Sequence, residues 1–260
     1  MTGDTAGSLK TGFWKRRISI LGGTALLLGG VVLGAGTAWA AGQASPPANR
    51  AEIEAIVREY ILSHPEIIPE AVARLEQAEA RKVLASNRAA IETPFASAFA
   101  GNAKGDVKLV VFFDYACPYC RQGHADVQKL VREDANLMVI YRDFPVLSPA
   151  STEAALASLS AANQGRYNQF HAAMFDSPGR VSLARTLGIV KGVGLDEART
   201  TADLSNAALK AEVDRNLALG RNLGLTGTPS YIVGNRILSG AVGFDRLKEA
   251  VAAARAEKGR

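Results

Sequence analysis

Cys117 and Cys120 are the only cysteines in a chain of 260 residues, and they stand three positions apart in the run Asp114-Tyr115-Ala116-Cys117-Pro118-Tyr119-Cys120. This pairing limits how the chain can hold itself together. No further cysteine is present to build a disulfide framework, and the absence of a second Cys-x-x-Cys excludes a complete zinc ribbon. The fold must therefore rest on a packed apolar core. The residues before the pair supply its centre. Lys108-Leu109-Val110-Val111-Phe112-Phe113-Asp114 is a β-rich apolar run, too continuous for a half-exposed strand, which predicts a central strand covered on both faces. A helix is expected through about Glu133, followed by a second strand over 137–142. The result is a β–α–β unit with the cysteines at the strand-to-helix junction.

That position carries chemistry. At a helix N-terminus the unpaired backbone N–H groups and the helix dipole favour an anion, hence the thiolate of Cys117, which is the attacking form. Pro118 fits the first turn, where it loses no helical hydrogen bond. Tyr119 adds no charge, where a basic residue would favour the thiolate further. Cys120, one turn in, is expected to be buried. The predicted cycle is attack at an exposed Cys117 sulfur and then closure by Cys120.

The N-terminal segment predicts where this happens. Lys15, Arg16 and Arg17 precede an uncharged stretch, apolar from Ile18 to Trp39 and closing on Ala38-Trp39-Ala40, an Ala-x-Ala cleavage pattern. Residues 1–40 read either as a cleaved signal peptide or as an uncleaved anchor, since about 20 apolar residues can cross a bilayer. Arg16-Arg17 also raises twin-arginine export, against which Ser19 interrupts the usual apolar pair. All these readings place the remainder outside the cytoplasm, periplasmic or extracytoplasmic, where disulfides persist. The net charge of +5 is mostly this segment: four basic groups and one acid lie in residues 1–40, leaving +2 for the rest. No nucleic-acid partner is expected.

Residues 41–50 read as a linker. Ile53, Ile56, Val57, Tyr60 and Ile61 then recur at helical spacing, predicting a helix over 51–63. A second helix is expected to about Ile91, begun either by a Ser63/Glu66 capping box or at Pro69. Its thin apolar stripe leaves two readings: an arm lying on the domain's own surface, or an oligomerisation arm over 51–91 covered by a second copy.

The sequence resembles the DsbA-like family of thiol–disulfide oxidoreductases, which has the thioredoxin fold. The matching pieces are Phe112-Phe113-Asp114-Tyr115-x-Cys117-Pro118-Tyr119-Cys120, then Tyr141-Arg142-Asp143-Phe144-Pro145, then Gly227-Thr228-Pro229-Ser230-Tyr231. The resemblance implies an α/β, thioredoxin-like fold over about 94–255, interrupted by a helical insertion and preceded by the arm. It divides the chain into the first half of the fold (94–148), the insertion (149–224) and the second half (225–255). It also implies a cis Pro229 facing the dithiol, with Thr228 beside it, the two serving substrate binding. Ser230–Val233 and Arg236–Leu238 read as a hairpin turning on Gly234-Asn235, with a closing helix lined by Phe244, Leu247 and Val251. One departure stands out. Many relatives carry an acid six positions before the first cysteine, and here that position is Val111. Asp114 and Lys108 fall on the opposite strand face. Water is then the default acceptor of the Cys120 proton.

Of the three histidines (His64, His124, His171), two can be drawn with Cys117 and Cys120 as a zinc site; the plainer reading makes His124 a polar residue on a solvated helix face. No cofactor is expected. Three functions remain open: an oxidase of newly exported proteins, an isomerase or reductase kept reduced by a membrane redox partner, and a copper-handling dithiol module. Thr228, Tyr119 and the arm lean toward the second; Pro229 and the scarcity of methionine weigh against the third.

Overall fold

The computed structural model describes residues 49–259. The expected export segment and all but the end of the linker lie outside the described residues. Among the described residues, β1 (Phe99–Gly101), β2 (Val107–Phe113), β3 (Leu137–Asp143), β4 (Ser230–Val233) and β5 (Arg236–Ser239) form one mixed sheet in the order β1-β3-β2-β4-β5. β2 lies at its centre, parallel to β3 and antiparallel to β4. Its alternate side chains enter different cores, as strand geometry requires. Leu109, Val111 and Phe113 pack into the larger cluster, while Val110 and Phe112 pack into the smaller one with Met138, Ile140 and Ile232. A strand apolar at every position is thus explained by cover on both faces. β1 is too short to have shown a period in the sequence.

The larger core is closed by α4 (Pro118–Glu133), by α6 (Tyr167–Asp176) from the insertion, and by α10 (Phe244–Lys258). α4 and α10 meet where the Lys129 ammonium lies 3.8 Å from the Phe244 ring centroid. The insertion comprises α5 (Pro149–Asn163), α6, α7 (Leu183–Gly192), α8 (Glu197–Asp203) and α9 (Ala207–Asn222). α5 is buried nearly all round. Its alanines and serines keep it thin enough for neighbours on every side, and its buried hydroxyls find acceptors: Ser158 donates to both oxygens of Asp143, and Ser160 to Asp203. The α/β, thioredoxin-like arrangement with a helical insertion is the one that the resemblance implies.

The arm divides differently from the sequence expectation. α1 (Arg50–Ser63) forms as predicted, but α2 (Ile67–Ser86) stops at Asn87 and a short α3 (Arg88–Glu92) follows. Pro69 falls in the first turn of α2; the Ser63 hydroxyl donates back to Glu59 and Tyr60 carbonyls, so no capping box forms. The break lets both Leu84 and Ile91 enter the smaller core. Arg88 donates to the Gly234 carbonyl and the Asn235 side chain at the hairpin turn, each at 2.6 Å. Arg142 of β3 donates to the carbonyls of Ala90 and Thr93, and to Glu212 and Asn216 of α9. The end of the arm is therefore part of the domain, while Ile56, Val57, Tyr60, Ile68, Val72 and Leu75 are exposed.

Two predictions follow from this packing. A Cβ at Gly123 on α4 would collide with the Tyr231 hydroxyl of β4. Gly123→Ala should lower unfolding free energy by about 1–3 kcal/mol, and Tyr231→Phe in the same chain should recover much of that, both read by urea denaturation. Burial pushes the Asp143 carboxyl up to about 8, with Ser158 opposing. Between about pH 4, its unfolded value, and pH 8 the native state therefore holds a proton that the unfolded chain releases, so stability falls as pH rises through this window. Asp143→Asn should flatten that fall in a series of denaturation midpoints; an equal slope in both proteins would contradict it.

Candidate functional site

β2 ends at Phe113, and Asp114 makes the turn that follows. Its carboxylate, almost fully buried, accepts from the backbone N–H of Ala116 at 2.8 Å, Val146 at 2.9 Å and Leu147 at 3.0 Å, while its carbonyl accepts from Cys117 N–H at 3.0 Å. These bonds tie the loop after β2 to the loop after β3. Cys117 is then the N-cap residue of α4, extended at φ −81° and ψ 120°, with Pro118 in the first turn. Tyr119 points out and is 63% exposed. Cys120 turns inward and is 3% exposed.

Both cysteines are free thiols. The Cys117 Sγ donates to the Thr228 carbonyl at 3.3 Å, across from the cis Thr228–Pro229 peptide. The structure thus brings Cys117, Cys120, Pro118, Thr228 and Pro229 together, with Tyr119 at the rim. The sulfur expected to be exposed is not: Cys117 is only 5% exposed. Its access is through a cleft of about 410 Å³ lined by Tyr115, Pro118, Arg121, Leu147, Arg180 and Val181, among others. The two cysteines therefore differ in which space they face rather than in how much surface they show. Tyr119, Val146 and Leu147 leave apolar surface exposed around this end of the molecule.

Cys120 faces the other way. It lines a small cavity of about 10 Å³ with Val111, Gly123, His124, Tyr141, His171 and Tyr231, among others. Burial raises the Cys120 thiol far above its ordinary value, against the lowering effects of the Asp114 backbone and the Thr228 side chain. Val111 offers nothing polar here, as the sequence implies.

The reading of His124 as a solvated surface residue is wrong. Cys120 and His124 sit four apart on the buried face of α4, and His124 is 7% exposed. Its ring lies 5.1 Å from that of His171, centroid to centroid, and stacks on Phe175. His171 sits among Tyr141, Tyr167 and Phe113, with Nδ1 3.1 Å from the Tyr115 hydroxyl. Burial lowers His124 and takes His171 lower still. Among the described residues, no group of three or more His, Cys, Asp or Glu side chains is arranged to hold a metal ion. The His pair, Gly123 and Tyr231 were missed as site residues. The i, i+4 spacing of Cys120 and His124 was the visible signal, but only the fold shows that this helix face is buried.

The family model of the DSBA-like thioredoxin domain matches residues 108–252, and that of the copper resistance protein ScsC N-terminal domain matches residues 49–82. The chain is similar to the structure of a thioredoxin-like oxidoreductase from Silicibacter pomeroyi, with 40% identity, 60% of this chain and 91% of that one covered, and a TM-score of 0.59. It is similar to a linker-deletion mutant of Proteus mirabilis ScsC at 29% identity, 83% and 99% coverage and a TM-score of 0.67. For the thiol-disulfide exchange protein alpha-DsbA2 from Wolbachia pipientis the values are 27%, 69%, 97% and 0.63. A curated relative, Na(+)/H(+) antiporter NhaA 1 of Salinispora arenicola, is 26% identical over 59% of this chain and 24% of its own length; the chain spans about a quarter of the curated relatives it matches. Among the described residues no helix is long and apolar enough to cross a membrane. With the domain's family model matched over more than half of the chain, and solved oxidoreductases covered almost end to end, this chain belongs to the DsbA-like thioredoxin family of thiol–disulfide oxidoreductases.

Proposed function

We propose that the chain exchanges disulfides with exported proteins through Cys117 and Cys120, working outside the cytoplasm and in the isomerase or reductase direction. The observation that carries this is the asymmetry of the dithiol: Cys117 caps a helix and lines a cleft of about 410 Å³, while Cys120 lines a far smaller, mostly apolar cavity of about 10 Å³. In the forward step the Cys117 thiolate attacks a substrate disulfide, forming a mixed disulfide and releasing one substrate thiolate, which takes a proton. The substrate then either reshuffles and frees Cys117, or Cys120 loses its proton and attacks Cys117. Closure forms the internal disulfide and releases the second substrate thiol. A membrane redox partner would then re-reduce the pair. Thr228 and Pro229 face Cys117 and serve to hold the substrate chain there. The export reading rests on Lys15, Arg16, Arg17 and the apolar run that follows.

The direction rests on three features: Tyr119 in place of a basic residue, Thr228 before the proline, and the arm. An isomerase benefits from presenting several dithiols to one misfolded substrate. The exposed apolar side chains of α1 and α2 are suited to burial against further copies of the chain. The oligomerising portion of the arm is then residues 51–82, since Leu84 and Ile91 are already used by the domain's own core. A second reading, a copper-handling dithiol, draws on the match of residues 49–82 to a domain named for copper resistance and on the softness of two adjacent thiols.

The separating experiment is refolding of a scrambled-disulfide substrate, run beside oxidation of a reduced one. Reshuffling faster than net oxidation is expected, and vigorous oxidation without reshuffling would contradict the isomerase direction. Cys117→Ala should abolish both activities, and Cys120→Ala should accumulate the mixed disulfide. Tight Cu(I) binding with neither activity in the unaltered chain would favour the copper reading. Solution mass of residues 41–260 against residues 83–260 tests the arm: the longer form should be an oligomer and the shorter a monomer, and two monomers would end the idea.

A further inference from the structure

Cys120 must lose a proton each time the internal disulfide closes, and its surroundings make that hard. Val111, Phe113, Val127 and Phe175 are apolar, and no carboxylate lines the cavity among the described residues. Two buried histidines do, His124 and His171, and His171 already has its Nδ1 against the Tyr115 hydroxyl. His124 lies one helical turn from Cys120 on the same face of α4 and borders the same cavity, and its Nδ1 is fully buried with no hydrogen-bond partner among the described residues. An unsatisfied buried ring nitrogen calls for an explanation. Its other nitrogen, Nε2, lies 3.9 Å from the Asp176 carboxylate, which is largely exposed at the rim. That placement favours the proton on Nε2 and leaves the Nδ1 lone pair as an acceptor. The cavity is close to the space of one water, and Tyr231 and Tyr141 are among its lining residues.

We propose that His124 accepts the Cys120 proton, through its Nδ1 and the cavity between them, as Cys120 attacks Cys117. This rests on the exchange reading of the dithiol. The Cys120 S–H bond breaks and its proton passes to Nδ1 of His124. The sulfur's electron pair forms the bond to Cys117 Sγ, and the Cys117–substrate S–S bond breaks, its pair leaving on the substrate sulfur. The His124 imidazolium, facing Asp176, then loses its proton to solvent. In the oxidase direction the same imidazolium returns the proton to Cys120 as it departs.

The groups facing His124 from each packed element are Cys120 and Arg121 on α4, His171 and Asp176 on α6, Tyr141 on β3 and Tyr231 on β4; β2 contributes only Val111 and Phe113. Burial lowers His124, Asp176 favours its charged form, and Arg121 opposes it. His171, fully enclosed, is lowered further by burial and by His124, which makes it the weaker base of the two. Since Cys120 is raised and His124 lowered, the proton moves as the S–S bond forms rather than before it.

The test uses the whole reduced chain and an aromatic disulfide such as dithiobisnitrobenzoate in stopped flow. Release proportional to probe concentration reports attack by Cys117, and a second, concentration-independent release reports closure by Cys120. The closure rate should rise with pH to a plateau whose midpoint lies below the ordinary histidine value of about 6.5. His124→Gln should slow closure on the order of 10²-fold and replace the plateau with a continuous climb, leaving the first phase unchanged. Asp176→Asn, at an exposed position, should move the plateau's midpoint to lower pH, because the imidazolium loses its counter-ion. If His124→Gln fails to fold, the plateau in the unaltered chain and its movement in Asp176→Asn decide. A closure rate climbing tenfold per pH unit from pH 5 to 9 in the unaltered chain would overturn the role of His124, as would unchanged closure in His124→Gln. A first phase never followed by a second would instead overturn the exchange reading on which it rests.

Discussion

The buried carboxylate of Asp114 is the interaction on which the rest of the site depends. It accepts three backbone N–H groups from two loops, so the chain leaving β2 and the chain leaving β3 are held at a fixed separation. A charged group this deep is tolerated because its oxygens find donors; without them the cost of removing it from water would be several kcal/mol. The loop geometry it enforces places Cys117 at the start of α4 rather than inside it. From there the sulfur meets the Thr228 carbonyl of a segment more than a hundred residues away. The redox pair is thus assembled from a local turn and one long-range contact.

Below that level, the site is governed by burial. β2 is covered on both faces, so whatever lies beneath the dithiol sits in an apolar medium where charge is costly. The Cys120 thiol is held neutral by this environment, and so are His171 and, less strongly, His124. Two neutral, polarisable groups on one face of one helix form a place where a proton can shift without a lasting buried charge. A carboxylate at Val111 would do this chemistry by a different balance, with a fixed acceptor from the strand rather than a titrating one from the helix.

Much of this architecture was legible before any coordinates. The β2–α4–β3 unit, the hairpin on Gly234-Asn235, the helical insertion and the closing helix each carry a local signal: continuous apolar sequence, turn residues or helical spacing. The dithiol was legible for the same reason. What escaped was whatever depends on the far side of a contact. His124 looks solvated when α4 is read alone, and becomes buried only because α6 returns across it with His171 and Phe175. The arm was read as one unit, yet Leu84 and Ile91 belong to the core because Arg142 and the hairpin turn hold α3 in place. Gly123 has no motif around it, and only the Tyr231 hydroxyl shows why it carries no side chain.

The central claim is that Cys117 and Cys120 form one reversible two-electron couple. Equilibration of the chain against mixtures of reduced and oxidised glutathione, followed by acid quench, alkylation and mass measurement, tests it most directly. The account predicts a single reversible transition from two free thiols to one Cys117–Cys120 disulfide, at a poise within the range of known thiol–disulfide oxidoreductases, roughly −120 to −270 mV. Independent modification of the two sulfurs by glutathione, or thiols that stay reduced throughout, would contradict it.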